Sequence, residues 1–310
     1  MIIIPVVFST DHNFIMPTGV AILSLLEHSD DCRPHIYVLQ SVDVTDSDRE
    51  TIKSICNQYS APVDFISMDD TFNDSFEIRD ISTATYYRLL IPWLMPEHDK
   101  VIYCDGDIVF NRSISNIYDF PIGDSYVGGV QTGFKAHTRV GAHIRKLGLD
   151  IDNYINGGVL LINSRKHREL DLKNEFLVHA QKRYMFQDQD IMNIVCRGHI
   201  ALMPRCFNTT PNAVDYFVFN KCKESEVVGQ LQNNESPVII HYAGGKPWKE
   251  MTYWWLAWWQ TYSRSPFFDP MLEFVIERRT LTKEPKLRPA FSIFVRRKFP
   301  FIGKLIDKMR

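Results

Sequence analysis

The stretch VIYCDGDIVF, Val101–Phe110, sets two carboxylates one residue apart between apolar runs. Its flanks are apolar and β-prone, so it reads as a buried strand that ends at Asp105-Gly106-Asp107. Charge beside a buried strand is costly unless it is paired or binds a metal. Residues i and i+2 of an extended segment point to the same side. Two hard oxygen ligands on one side suit Mg2+ or Mn2+. A plain strand-end turn is the competing reading. The pattern itself is common, for D-x-D recurs at Asp46/Asp48, Asp150/Asp152 and Asp188/Asp190. Asp46/Asp48 opens TDSDRETIKSICNQY, where Thr and Asp cap a helix N-terminus. Only its apolar setting distinguishes Asp105/Asp107.

Outward from that stretch the chain alternates. IIIPVVFS reads as a strand, PTGVAILSLLEHS as a helix with Pro17 at its start, and HIYVLQ as a strand. DSDRETIKSICNQY then reads as a helix, VDFISM as a strand and STATYYRLLIPWL as a helix leading into KVIYC. Strands alternating with helices over roughly the first 200 residues predict an α/β fold with a mainly parallel, doubly wound sheet. Ligands of such sheets sit at the carboxyl ends of the strands. Asp11 and Asp105 both follow strands directly, so both belong on that edge. No G-x-G-x-x-G and no G-x-x-x-x-G-K-[ST] is present, which argues against a dinucleotide site or a P-loop.

Composition fits a globular protein: 310 residues, 45% hydrophobic and 23% charged. The six cysteines form no C-x-x-C pair and read as reduced core thiols of a cytosolic protein. MIIIPVVFSTDHN lacks a signal-like pattern, and no segment approaches the roughly 20 apolar residues of a membrane span. The net charge of -2 hides a segregation. Arg278–Arg310 holds eleven Lys/Arg against two Asp/Glu, a balance of +9, leaving -11 for the rest. Such a tail points to an anionic partner. Nucleic acid is disfavoured by the acidic body and the lack of a recognition motif. RPAFSIFVRRKFPFIGKLIDKMR mixes apolar and basic residues, with Pro300 dividing two short amphipathic segments. Residues 266–310 are thus expected to form a helical tail that associates with anionic membrane; a solvated tail is the alternative.

Three further clusters place polar residues in apolar settings. In YINGGVLLINSRK, Gly157 and Gly158 either mark a bulge or let a ligand approach the backbone. FQDQDIMNIVC puts Asp188, Gln189 and Asp190 at a helix start, where N-capping needs only one of them. VIIHYAGGKPWKE ends a buried strand at His241, and Lys246 follows five residues on. A satisfied core histidine is the plain reading; an imidazole for a metal and an ammonium for phosphate is the other. In YWWLAWWQTY, Trp254/Trp258 and Trp255/Trp259 lie at helical spacing, either as a core face or with one ring stacked on a sugar.

Taken in order, FSTDHNF, STATYYRLLIPWLMPEHDKVIYCDGDIVF, INGGVLLIN, QDQDIMN and HYAGGKPW resemble the retaining glycosyltransferases of family 8, over about residues 1–265. Bacterial lipopolysaccharide and lipooligosaccharide galactosyl- and glucosyltransferases are the nearest in pattern, glycogenin more distant. The resemblance implies a GT-A nucleotide-sugar-binding fold and a catalytic domain spanning 1–265. It implies Mn2+ (or Mg2+) on Asp105, Asp107 and His241, with a UDP-hexose as donor. Lys246 and the Gly244 backbone would hold the diphosphate. Asp11, Asn13 and Phe14 would surround uracil and ribose, Phe14 by stacking, and Ser9, Gly106 and Gly157 would also belong to the UDP-sugar site. Arg88 would reach the donor sugar or diphosphate, and Asn156, Asp188 and Gln189 would line the sugar pocket. Gln189, flanked by Asp188 and Asp190, would occupy the catalytic position. An oligosaccharide or lipid-linked glycan would be the acceptor, met at the inner face of the cytoplasmic membrane.

Two departures stand out. Four residues separate His241 from Lys246, where relatives often have five. In YVGGVQTGF, Gln131 or Thr132 stands where relatives often have a sugar-binding Asp, which leaves glucose, galactose and another hexose open. A metal-dependent phosphohydrolase and a non-catalytic glycan-binding protein are the rival readings.

Overall fold

The computed structural model describes residues 1–68, 83–210, 237–250, 252 and 254–272. It divides into two units, Met1–Gly244 with Tyr253–Phe268, and Gly245–Thr252 with Asp269–Arg310. The Lys246 loop groups with the second unit.

In the first unit the strands are β1 (Ile2–Thr10), β2 (Cys32–Gln40), β3 (Val63–Ser67), β4 (Val101–Cys104), β5 (Ile108–Phe110), β6 (Val127–Gln131), β7 (Ile155–Ile162), β8 (Ile200–Leu202) and β9 (Ile239–His241). The helices are α1 (Ile15–Glu27), α2 (Asp46–Gln58), α3 (Ile91–Leu94), α4 (Ser115–Tyr118), α5 (Arg139–Lys146), α6 (Ser164–Glu169), α7 (Lys173–Ala180), α8 (Gln187–Val195) and α9 (Trp255–Tyr262). Seven strands form one sheet in the order β3-β2-β1-β4-β7-β6-β8. β3, β2, β1 and β4 run parallel, as does β6 with β8; β7 is antiparallel to both of its neighbours. The mainly parallel mixed sheet expected from the alternating elements is present.

Both faces of the sheet are covered, which is why its strands read as continuous apolar runs. Ile4, Val6 and Phe8 of β1 pack with Ile22 and Leu25 of α1 and with Ile52 and Ile55 of α2. Val7 points the other way, into a layer with Tyr86, Leu89, Phe176 of α7 and Ile191 of α8. Thr45 and Asp48 close a capping box at α2, as the sequence indicates.

STATYYRLLIPWL is not one helix. Thr83–Leu90 is a 3-10 run, and α3 begins afterwards with Pro92 in its first turn. Pro92 has no N–H to give the Arg88 carbonyl four residues back, so an α-helix cannot run through it. The DIVF half of the opening stretch also leaves the main sheet. β5 pairs antiparallel with β9, with Ile108 opposite His241. The Asp105-Gly106-Asp107 turn therefore sits where the chain passes from the large sheet to a two-stranded one.

The tryptophans of α9 divide by burial. Trp258 and Trp259 are buried, and Trp258 stacks on Tyr262 with centroids 4.8 Å apart. That supports the core-face reading for this pair. The five described cysteines are free thiols, four of them buried; Cys222 lies outside the described residues. In the second unit, the Lys246 carbonyl accepts from the N–H groups of Lys249 and Glu250, closing a turn. The basic tail from residue 273 onward lies outside the described residues. No described helix is long and apolar enough to cross a membrane.

Candidate active site

Three strand ends meet in the first unit. β4 delivers Asp105, the turn delivers Asp107, and β9 delivers His241. β7 runs alongside, and Asp105 N–H donates to the Gly158 carbonyl at 2.8 Å. Asp105, Asp107 and His241 each offer one donor atom, all within 4.8 Å of one another. His241 Nε2 lies 3.3 Å from Asp107 Oδ1 and 3.8 Å from Asp105 Oδ2. Two carboxylate oxygens and an imidazole nitrogen facing one point fit a divalent Mn2+ or Mg2+.

Gly158 explains part of the NGG motif. A Cβ there would stand 2.2 Å from His241 Cε1 and 2.6 Å from Asp105 Oδ2. The glycine makes room for the side chains of His241 and Asp105. The glycines also lie at the sheet's irregularity: Gly129 pairs with Leu160 and Gln131 with Ile155, so β7 carries extra residues across Asn156, Gly157 and Gly158, which supports the bulge reading as well.

Asp105 is held at one oxygen and open at the other. Its Oδ1 accepts from Tyr103 OH at 2.8 Å and from Arg88 Nη2 at 2.8 Å, while Oδ2 faces His241. Arg88 is buried and bridges Asp105 to Asp188, with Nε 3.0 Å from Asp188 Oδ2. It also donates to the carbonyls of Thr85 and Gly157 and lies 4.4 Å from the centre of the Tyr103 ring. Burial works against the Arg88 charge, but Asp105 and Asp188 outweigh it and hold the guanidinium protonated. The residue expected to reach the donor sugar thus braces two acidic side chains. Burial pushes the Asp188 carboxyl up to about 7; Arg88 opposes the rise and Asp105 adds to it.

Gln189 is clamped. Its Oε1 accepts from Asn156 Nδ2 at 3.0 Å and Gly157 N–H at 3.1 Å, and its Nε2 donates to Tyr154 OH at 3.2 Å. Asp190 is fully buried. It accepts from His143 Nε2 at 2.8 Å, from Phe186 N–H at 2.9 Å and from Tyr154 OH. No side chain caps α8 from the Phe186 position itself. Instead Asp190 reaches back to it, so the capping expected at this helix start comes from within the helix. Gln187, just ahead of these residues, holds a left-handed φ of 43°.

The remaining expected residues are distributed as follows. Ser9 is buried at the end of β1. Asp11 caps the short turn His12–Phe14, accepting from Phe14 N–H at 2.9 Å. Phe14 lies against Gly106, where a Cβ would stand 3.1 Å from Phe14 Cδ1 and 2.4 Å from Thr18 Oγ1. Asp11 and Asp105 therefore share one sheet edge. Asn13 is exposed. Gly244 N–H donates to the Tyr242 carbonyl, and Tyr242 N–H to the Asp107 carbonyl at 2.9 Å, which ties this loop to the acidic turn. Lys246 belongs to the second unit. Gln131 accepts from Arg205 Nη2 at 2.9 Å, and Thr132 is buried.

Three residues of this neighbourhood carry no mark in the sequence. Asn208 is buried with one amide atom 2.9 Å from His241 Nδ1 and the other 2.8 Å from Asn156 Oδ1. Tyr154 and His143 complete the surroundings of Gln189 and Asp190. A neutral amide in RCFNTT resembles any turn residue until the fold brings it to a histidine some thirty positions on; only Tyr154, two residues before the NGG run, had a neighbour to draw notice.

A profile described as "Glycosyl transferase family 8" matches residues 5–252. A putative glycosyltransferase of Haemophilus influenzae is 27% identical over 245 residues, 77% of this chain and 71% of that protein. A lipopolysaccharide 1,2-glucosyltransferase of Escherichia coli is 25% identical and covers 83% of this chain and 74% of its own length. A lipopolysaccharide 1,3-galactosyltransferase of Salmonella typhimurium is 25% identical, covering 85% and 76%. Among solved structures, galactosyltransferase LgtC in complex with donor and acceptor sugar analogues superposes with a TM-score of 0.74. That match spans 87% of this chain and 99% of LgtC at 22% identity, which establishes a shared GT-A fold.

Proposed function

The chain belongs to glycosyl transferase family 8, and from that membership we propose that it moves a hexose, glucose or galactose, from a UDP-sugar to a glycan acceptor with retention of anomeric configuration. The observation that carries this reading is the convergence of Asp105, Asp107 and His241 beside the glycine pair of β7. A bound Mn2+ or Mg2+ would supply charge neutralisation for the departing diphosphate. Asp105 keeps Oδ2 directed at that point because Tyr103 and Arg88 hold its other oxygen.

Retention needs either a nucleophile on the face opposite UDP or a front-face route through a short-lived oxocarbenium-like state. A carboxylate nucleophile is usual in retaining glycosidases. Here Gln189 is neutral, Asp188 is bound by Arg88, and Asp190 is sealed by three donors. These pairings favour the front-face route, with the Gln189 amide a fixed dipole beside the sugar. Trapping a covalent glycosyl adduct on Asp188 or Asp190 of the wild-type enzyme would overturn it.

The names of the relatives support a lipopolysaccharide or other cell-surface glycan as the product class. The basic tail supports attachment to the inner face of the cytoplasmic membrane, where a lipid-linked acceptor would lie. The test is incubation with UDP-glucose or UDP-galactose and Mn2+, following UDP. Slow UDP release without acceptor is expected, and it should vanish in Asp105→Ala, Asp107→Ala and His241→Ala while the fold persists. Inorganic phosphate release would indicate a phosphohydrolase instead, and no turnover with any acceptor a glycan-binding protein. Full activity of any of the three variants in chelator would sink the metal assignment.

A further inference from the structure

The hydrogen bonds around Asn208 can be given a direction, because two of their partners are backbone amides. Gly157 N–H can only donate, so the Gln189 atom 3.1 Å from it is the carbonyl oxygen. The Asn156 atom that meets this oxygen at 3.0 Å is then Nδ2. Asn156 Oδ1 therefore lies on the other side, where Gly158 N–H donates to it at 2.9 Å, an independent check on the same orientation. Asn208 approaches that oxygen at 2.8 Å and must present its NH2. Its own oxygen consequently faces His241 Nδ1 at 2.9 Å. An amide oxygen only accepts, so Nδ1 carries the proton. Nε2 is thereby the nitrogen turned toward Asp105 and Asp107. Reversing Gln189 or Asn156 would set two donors against each other at a backbone N–H, and reversing Asn208 would set two amide oxygens against each other.

We propose that Asn208 is a positioning residue for sugar transfer. Its Oδ1 fixes the tautomer and ring orientation of the metal-binding His241. Its Nδ2 fixes Asn156, and through it the Gln189 amide. One buried side chain thus couples the cation site to the sugar pocket, with its polarity set by the amides of Gly157 and Gly158. A buried partner of this kind raises ligand basicity and holds the ring against rotation, and its loss weakens metal binding by about 10- to 100-fold. This inference rests on the metal reading given above.

The experiment has two arms on the full chain. Nitrogen NMR of the wild-type protein, with His241→Gln identifying the resonance, should show a proton on His241 Nδ1. Calorimetric titration with Mn2+, without sugar, should show Asn208→Leu binding about 10- to 100-fold more weakly. Asn208→Asp still accepts from Nδ1–H but cannot donate to Asn156. It should bind Mn2+ at least as tightly as wild type yet lose kcat for UDP-hexose turnover. A wild-type His241 Nδ1 without a proton overturns the proposal. So does wild-type Mn2+ affinity in folded Asn208→Leu, or Asn208→Asp losing affinity as the leucine variant does. If Asn208→Leu does not fold, the wild-type tautomer and the aspartate variant still decide. Absence of Mn2+ binding by wild type overturns the metal reading and the proposal with it, whereas normal wild-type binding with an indifferent Asn208 overturns the proposal alone.

Discussion

At Gly158 a hydrogen atom stands where any other residue would drive a methyl group into His241 and Asp105. The distances a Cβ would make, 2.2 and 2.6 Å, are below what real contacts tolerate, and both neighbours are candidate metal ligands. Gly158→Ala demands no forbidden backbone angle, since its φ is not positive. The substitution should therefore act on the ligands. Displacement of catalytic groups by about 1 Å can cost on the order of 100-fold in rate. Gly158→Ala is expected to lose UDP-hexose turnover by about that factor and to weaken Mn2+ binding in a calorimetric titration. Gly157→Ala should be milder, its nearest neighbours being Arg88 Nη1 at 3.3 Å and Asp188 Oδ2 at 3.4 Å. Equal turnover by wild type and Gly158→Ala would contradict this account. At this scale the sequence was partly legible. The acidic pair, the glycine pair and His241 stood out because polar or small residues interrupted apolar runs. Asn208 did not, because its role depends on a contact that only the tertiary fold creates. Arg88 was legible as a site residue, but its orientation toward Asp105 and Asp188 was not.

Elements were easiest to read where one pattern governed them. β1, α1, β2, α2 and β3 follow from uninterrupted apolar runs and a capping box, and all are present. The reading failed where a single residue redirected the chain, at Pro92 and at the passage from β4 to β5. Neither apolar periodicity nor propensity says which strand β5 pairs with. α6 carries a titratable group that tests the packing of its layer. His167 is 1% exposed, its Nε2 lies 3.0 Å from the Tyr126 carbonyl, and its ring stacks on Phe176 at 5.5 Å. Burial pushes its pKa from 6.5 down to about 4, with the Tyr126 bond opposing. The folded chain therefore binds fewer protons than the unfolded chain between these two values. Stability is complete above pH 6.5 and falls as the pH drops toward 4, by up to roughly 3 kcal/mol from this group. His167→Gln keeps a donor for Tyr126 but cannot titrate. Urea unfolding at a series of pH values should show a shallower acid-side decline for this variant; identical slopes would show that His167 is not the group responsible.

Across the whole molecule the separation of charge is the feature that packing does not account for. Arg278–Arg310 carries eleven basic and two acidic residues, while the remainder has a balance of -11. Charge divided in this way favours a surface that attracts the tail and repels the body, as an anionic bilayer does. Interleaved with the basic residues are Phe291, Ile293, Phe294, Phe299, Phe301, Ile302, Leu305 and Ile306, a composition suited to interfacial burial. Each basic residue near such a surface contributes on the order of 1 kcal/mol, and the attraction decays over a Debye length of about 10 Å at 0.1 M salt. Binding should therefore be strong at low salt, fall steeply as salt rises, and require anionic lipid. Deleting residues 286–310 should release the protein from anionic liposomes in a flotation assay while UDP-hexose hydrolysis persists, because every proposed donor and metal residue precedes the deletion. A polar or solvated tail would instead leave full-length and truncated protein floating equally at low salt, and that result would refute the anchor.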